Sequence, residues 1–121
     1  MIVFEDNIRV NFVDINNVFV GYGLEQDCCE NAGYFINEKE LDNIPENHSL
    51  ENSVLKEYVF DTKYFKEVLD VSKHDGSMVR FKLIALNHPD LFLHLYNYHN
   101  GYYGHGFESK IGDQKWMDGI L

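Results

Sequence analysis

Two short strings hold most of the side chains that could do chemistry. Asp27-Cys28-Cys29-Glu30 sets two thiols between two carboxylates, and His94, His99 and His105 follow in a tyrosine-rich stretch. Thiolates, carboxylates and imidazoles are zinc ligands, so Cys28, Cys29, His94 and His105 are the candidate metal ligands. A thiol beside an imidazole is also a candidate nucleophile. The spacing argues against a metal. Structural zinc sites favour about two to four residues between paired cysteines, which lets both sulfurs turn to one ion. Adjacent cysteines on a strand point to opposite faces. They also rarely join in a disulfide, because the ring strains the peptide between them. The plainer reading makes one cysteine a small core residue and turns the other to a pocket. Asp27 and Glu30 then cap nearby backbone. No cofactor is required.

The second string is Tyr98-His99-Asn100-Gly101-Tyr102-Tyr103. Asn-Gly between two alternating runs is a strong hairpin signal, and here the runs are Leu91 to Tyr98 and Tyr102 to Glu108. With Asn100-Gly101 as the turn, Tyr96 pairs with His105 and His94 lies across from Phe107. Both imidazoles then share a face near Tyr96 and Tyr98, to bind a ligand or to cover the sheet. Gly101, Gly104 and Gly106 make no phosphate loop, since no Gly-Lys-Ser/Thr follows. They read either as a tight turn with a bulge or as a loosened loop that presents Tyr102 and Tyr103 to a partner. Tyrosines at a hairpin tip are good contact anchors. The candidate binding residues are therefore Asp27, Cys28, Cys29, Glu30, Tyr98, Asn100, Gly101, Tyr102 and Tyr103.

The elements that must position them read mostly as strands. Ile8, Val10 and Phe12 alternate, as do Val18, Val20 and Tyr22, with a turn at Asn16-Asn17. Tyr34 to Ile36 and Tyr58 to Phe60 suit short strands. Residues 37–53 are polar and predict a flexible insertion loop, with a short helix near Glu38 to Asn43. A second short helix is predicted around Lys63 to Leu69. Asp75-Gly76 marks a turn. From Met78 to Leu86, Val79, Phe81, Leu83 and Ala85 face one way and Arg80 and Lys82 the other, the period of a half-buried strand. Asn87 to Asp90 is a turn around Pro89. The tail carries Trp116 and Met117, which are expected to pack back on the core. The fold class is α+β and β-rich, a mostly antiparallel sheet of about five to seven strands with one or two short helices.

The chain has 121 residues, enough for a single domain over 1–121. Its net charge is −10. A field of that sign repels phosphate, which argues against direct nucleic-acid contact and would steer the chain to a protein with a basic surface. The acids are dispersed, and none stands out as the facing pair that glycoside hydrolysis needs. No stretch approaches the ~20 apolar residues of a membrane span. Met1 to Asp6 lacks the basic flank of a leader, and the cysteines form no secretory framework. These features predict a cytoplasmic setting in a bacterial host cell.

A Gln26 to Glu30 string early in the chain, followed by Asn100-Gly101-Tyr102-Tyr103 near its end, resembles a family of small phage and bacterial proteins of unknown function. The resemblance implies a phage or mobile-element setting and carries no chemistry. The expected function is stoichiometric binding and inhibition of a basic protein, of the anti-defence or immunity type. Two alternatives stand beside it: a metal-binding or thiol-enzyme domain built on Cys28 or Cys29 with the histidines, and a structural or assembly protein that forms a homodimer through an edge strand.

Overall fold

Alternating apolar residues need a second surface to cover them, and here two sheets cover each other. A computed structural model of the chain describes residues 1–25, 31–41, 44, 52–64, 69–71, 76–98 and 105–121. Among the described residues ten strands run in order: β1 (Ile2–Glu5), β2 (Arg9–Val13), β3 (Val18–Gly23), β4 (Asn31–Asn37), β5 (Val59–Phe60), β6 (Leu69–Val71), β7 (Gly76–Ile84), β8 (Leu91–Tyr98), β9 (Gly106–Ile111) and β10 (Gln114–Ile120). The first sheet is antiparallel in the order β1-β2-β3-β9-β10. The second runs β4-β8-β7-β5, and β6 pairs with the Gly76 end of the β7 edge that β5 borders further along.

The inner faces meet in one apolar core. Val10, Phe12, Val18, Val20, Tyr22 and Phe107 come from the first sheet, and Ile36, Val79, Phe81, Leu83, Leu91, Leu93 and Leu95 from the second. The alternation from Met78 to Leu86 is met in β7, where Val79, Phe81 and Leu83 are buried while Arg80 and Lys82 face outward. The Asn16-Asn17 turn joins β2 to β3. Asn17 takes a left-handed φ of 61°, which asparagine tolerates better than most residues. At this end Asp14 accepts hydrogen bonds from the backbone N–H groups of Asn16 (2.9 Å), Val18 (2.9 Å) and, in the other sheet, Phe60 (2.8 Å).

Three expectations are corrected. Among the described residues there is no α-helix, only 3-10 turns at Asn52–Leu55 and Thr62–Tyr64. Near residue 63 a single turn capped by Asp61 suffices, and Leu69 goes to the β7 edge as part of β6. Near residue 41 the backbone N–H and C=O of Leu41 are taken by His94 and Arg80, so the chain crosses a sheet face there. The 37–53 stretch otherwise lies largely outside the described residues.

The second correction is the strand number, ten among the described residues where about five to seven were expected. The extra strands come from the tails and from short edge pieces. The third is the hairpin. β8 and β9 do not pair: β8 lies between β4 and β7 in the second sheet, and β9 between β3 and β10 in the first. Both ladder sides of β8 are occupied, so no edge remains for β9. The Tyr96–His105 and His94–Phe107 pairings fall with it. In their place Tyr96 lies between Gly33 and Met78, and Phe107 between Tyr22 and Gly119.

Candidate functional site

The chain passes between sheets at one end of the sandwich. β3 leaves the first sheet at Gly23 and β4 enters the second at Asn31; β8 leaves the second at Tyr98 and β9 enters the first at Gly106. Asn31 is paired with Tyr98, and Tyr22 with Phe107 one step before Gly23 and Gly106. The described residues that flank the two chemically rich strings thus lie side by side at this end. Asp27, Cys28, Cys29, Glu30, Asn100, Gly101, Tyr102 and Tyr103 themselves lie outside the described residues. Of Tyr98 the backbone is described, paired with Asn31 and Gly76.

Polar bonds hold the sheets together beneath those flanking residues. The Tyr22 hydroxyl donates to the Tyr96 carbonyl at 2.7 Å, and the Asn97 amide donates to the Leu121 carbonyl at 2.9 Å. His105 exchanges two backbone bonds with Leu121, and its Nδ1 lies 2.9 Å from the Gly23 carbonyl, which makes that nitrogen the proton carrier. The Tyr22 bond is part-buried, and Tyr22→Phe is expected to destabilise the chain by about 1 kcal/mol, read as a lower urea midpoint at unchanged slope.

His94 belongs to another neighbourhood. It lies on the outer face of the second sheet, fully buried, and stacks on Phe35 with ring centres 4.1 Å apart. Its Nδ1 donates to the Phe92 carbonyl (3.1 Å) and its Nε2 accepts from the Leu41 N–H (3.0 Å). Burial first, and the Arg80 guanidinium second, push its pKa down from 6.5 to about 4. The ring is neutral at pH 7, and both nitrogens are engaged within the fold. Arg80 reaches the same segment, donating to the Leu41 carbonyl (3.2 Å) and pairing with Glu40 (3.5 Å). His94 and His105 are therefore not on one face. Among the described residues no three His, Cys, Asp or Glu side chains are grouped to hold a metal.

The outer face of the first sheet is different, because no other layer of the described chain covers it. The Arg9 side chain lies across Gly21, donating from Nε to the Asn11 amide oxygen (2.9 Å) and from Nη2 to Glu108 (3.4 Å). Asp118 is the cross-strand neighbour of Glu108, and Ile120 that of Gly106. Arg9, Gly106, Glu108, Asp118 and Ile120 line an open depression of about 380 Å³. Exposed apolar residues border the face on both edge strands: Ile2 (75% exposed) and Phe4 (59%) on β1, and Ile120 (74%) on β10. Arg9 and Glu108 are 99 residues apart, so no local spacing announces them. The available signal was glycine at positions 21, 23 and 106, inside or beside alternating runs.

No curated protein and no solved structure matches the chain. A family model does match, over residues 5–109, a span that takes in both strings and strands β2 to β8. The chain belongs to that family, the domain of unknown function DUF7448.

Proposed function

We propose that this chain is a binding protein from a phage or mobile element that occludes a basic partner stoichiometrically, as anti-defence and immunity proteins do. The observation that carries the reading is the uncovered outer face of the first sheet. It combines a charged centre at Arg9, Glu108 and Asp118 with exposed apolar residues on its edge strands. Exposed Phe4, Ile2 and Ile120 supply apolar area that a protein contact can bury. The net charge of −10 favours encounter with a basic surface. The proposed setting is the bacterial cytoplasm. The metal or thiol alternative draws no support from His94, whose ring nitrogens are both engaged within the fold.

Capture by the tagged full chain from a bacterial lysate tests the reading. The expected result is one basic protein recovered in equimolar amount, with recovery falling as salt rises. Recovery of no partner at low or physiological salt would overturn it.

A further inference from the structure

A sheet edge offers a row of backbone donors and acceptors, and natural edges are guarded against pairing with another chain. β10, one edge of the first sheet, has such a guard: its pairing with β9 shifts register between Lys115 and Met117. The other edge, β1, has none of the common ones. It reads Ile2-Val3-Phe4-Glu5, without proline or lysine, and its register with β2 is unbroken. Ile2 and Phe4 are exposed beside it. Its one charged side chain, Glu5, accepts a hydrogen bond from the Tyr34 hydroxyl.

The bonds around β1 fix which of its backbone groups are free. The Asp6 N–H donates to the Arg9 carbonyl (3.0 Å), and the Leu24 N–H to the Ile8 carbonyl (2.7 Å). In an antiparallel ladder, bonded pairs alternate with unbonded ones. Ile8, Val10 and Phe12 therefore turn their backbone groups to β3, and Arg9, Asn11 and Val13 turn theirs to Asp6, Phe4 and Ile2. Val3 and Glu5 point theirs away from β2, and nothing else in the described chain bonds to them. This spacing is self-complementary. When a second β1 runs antiparallel with Phe4 opposite its own Phe4, Val3 of each chain meets Glu5 of the other. Every free N–H and C=O of those residues is then paired. Phe4 and its counterpart form the unbonded pair between them, in which side chains come closest.

We propose that β1 is a dimerisation edge: a second copy of this chain adds to it antiparallel about a two-fold axis at Phe4, joining the two first sheets into one. The pairing needs no basic partner, and it sets the outer faces of the two copies side by side. The strand is short, so the contact belongs to the weak class below about 1,200 Å². Each copy carries a charge of −10. Salt screens that repulsion and strengthens the association, the opposite of the salt response of an acidic protein on a basic one.

Sedimentation equilibrium of the full chain, from micromolar to millimolar concentration, tests the proposal. The average mass is expected to rise towards that of a dimer with concentration, and further with salt. Phe4→Lys sets two cations across the axis and should weaken association about tenfold. Ile120→Lys, the same kind of change on β10, should leave it unaltered. Both positions are exposed, and melting temperatures confirm that the variants fold. Phe4→Cys reports the register. An unbonded antiparallel pair holds its Cα atoms ~4.5 Å apart, within disulfide range. Mild oxidation should therefore link Phe4→Cys into dimers above the wild-type background of Cys28 and Cys29, and should not so link Ile2→Cys. A monomeric mass at every concentration and salt, or Phe4→Lys associating like wild type, overturns the proposal. Linking of Ile2→Cys as fast as Phe4→Cys overturns the axis at Phe4. None of these outcomes bears on capture of a basic partner.

Discussion

Asp14→Ala is expected to cost about 4 kcal/mol of stability and to lower the melting temperature by roughly 15 °C. Asp14 is 6% exposed and accepts three backbone hydrogen bonds, two within the β2–β3 turn and one from Phe60 of the second sheet. Hydrogen bonds to a charged acceptor contribute about 1.5–3 kcal/mol each, and a buried N–H left without an acceptor adds its own desolvation cost. Truncation at Asp14 strands the Val18 and Phe60 donors in bonds that are otherwise buried. Asp14→Asn distinguishes the parts. The turn uses Oδ1 and Phe60 uses Oδ2, so the one oxygen of asparagine serves either the turn or the second sheet. About half the loss is expected, and urea unfolding of the two variants measures it. Equal losses would show that the bonds kept by the one remaining oxygen contribute nothing.

The second large effect is a pH dependence carried by His94. Its folded pKa, about 4, lies below the ordinary 6.5, so the unfolded chain binds the proton more readily. Stability from this group is complete above about pH 6.5 and is lost progressively as the pH falls towards 4. The gap corresponds to ~3 kcal/mol. Protonation at Nε2 also removes the acceptor that holds the Leu41 N–H, and places a cation beside Arg80. Glu40, paired with Arg80, is the nearby group that offsets this charge. His94→Phe keeps an aromatic ring against Phe35 and removes the titration. Between pH 7 and pH 4 the urea midpoint of the variant should fall less than that of the wild type. An equal fall in both would assign the acid sensitivity to the carboxylates.

Alternation in the sequence was enough to find β2, β3, β7 and β8, because each shows its inner-face row of buried side chains locally, and β4 showed as a short apolar run. The Asn16-Asn17 turn was legible for the same reason. What alternation leaves open is the choice of ladder partner. Asn100-Gly101 has the chemistry of a two-residue turn, yet β8 had both ladder sides occupied by β4 and β7, and β9 was claimed by β3 and β10. Those choices are set by burial of the whole inner face, which no short window contains. The failed helices have a related cause: edge pairing at Leu69 and side-chain capture of Leu41 satisfy backbone groups that a helix would otherwise satisfy. Of the site, the two strings were found, and the described residues that flank them prove to be adjacent. The uncovered face was missed, since Arg9 meets Glu108, and Glu108 meets Asp118, only after three strands are assembled.

Side-chain footprinting by hydroxyl radicals, with the captured partner bound and absent, tests the central claim most directly. The claim is that the outer face of the first sheet makes the contact. Ile2, Phe4 and Ile120 are expected to be protected in the complex, while Leu86, exposed in the β7–β8 connection of the second sheet, reacts at an unchanged rate. Protection of Leu86 with Ile2, Phe4 and Ile120 unaffected would contradict it.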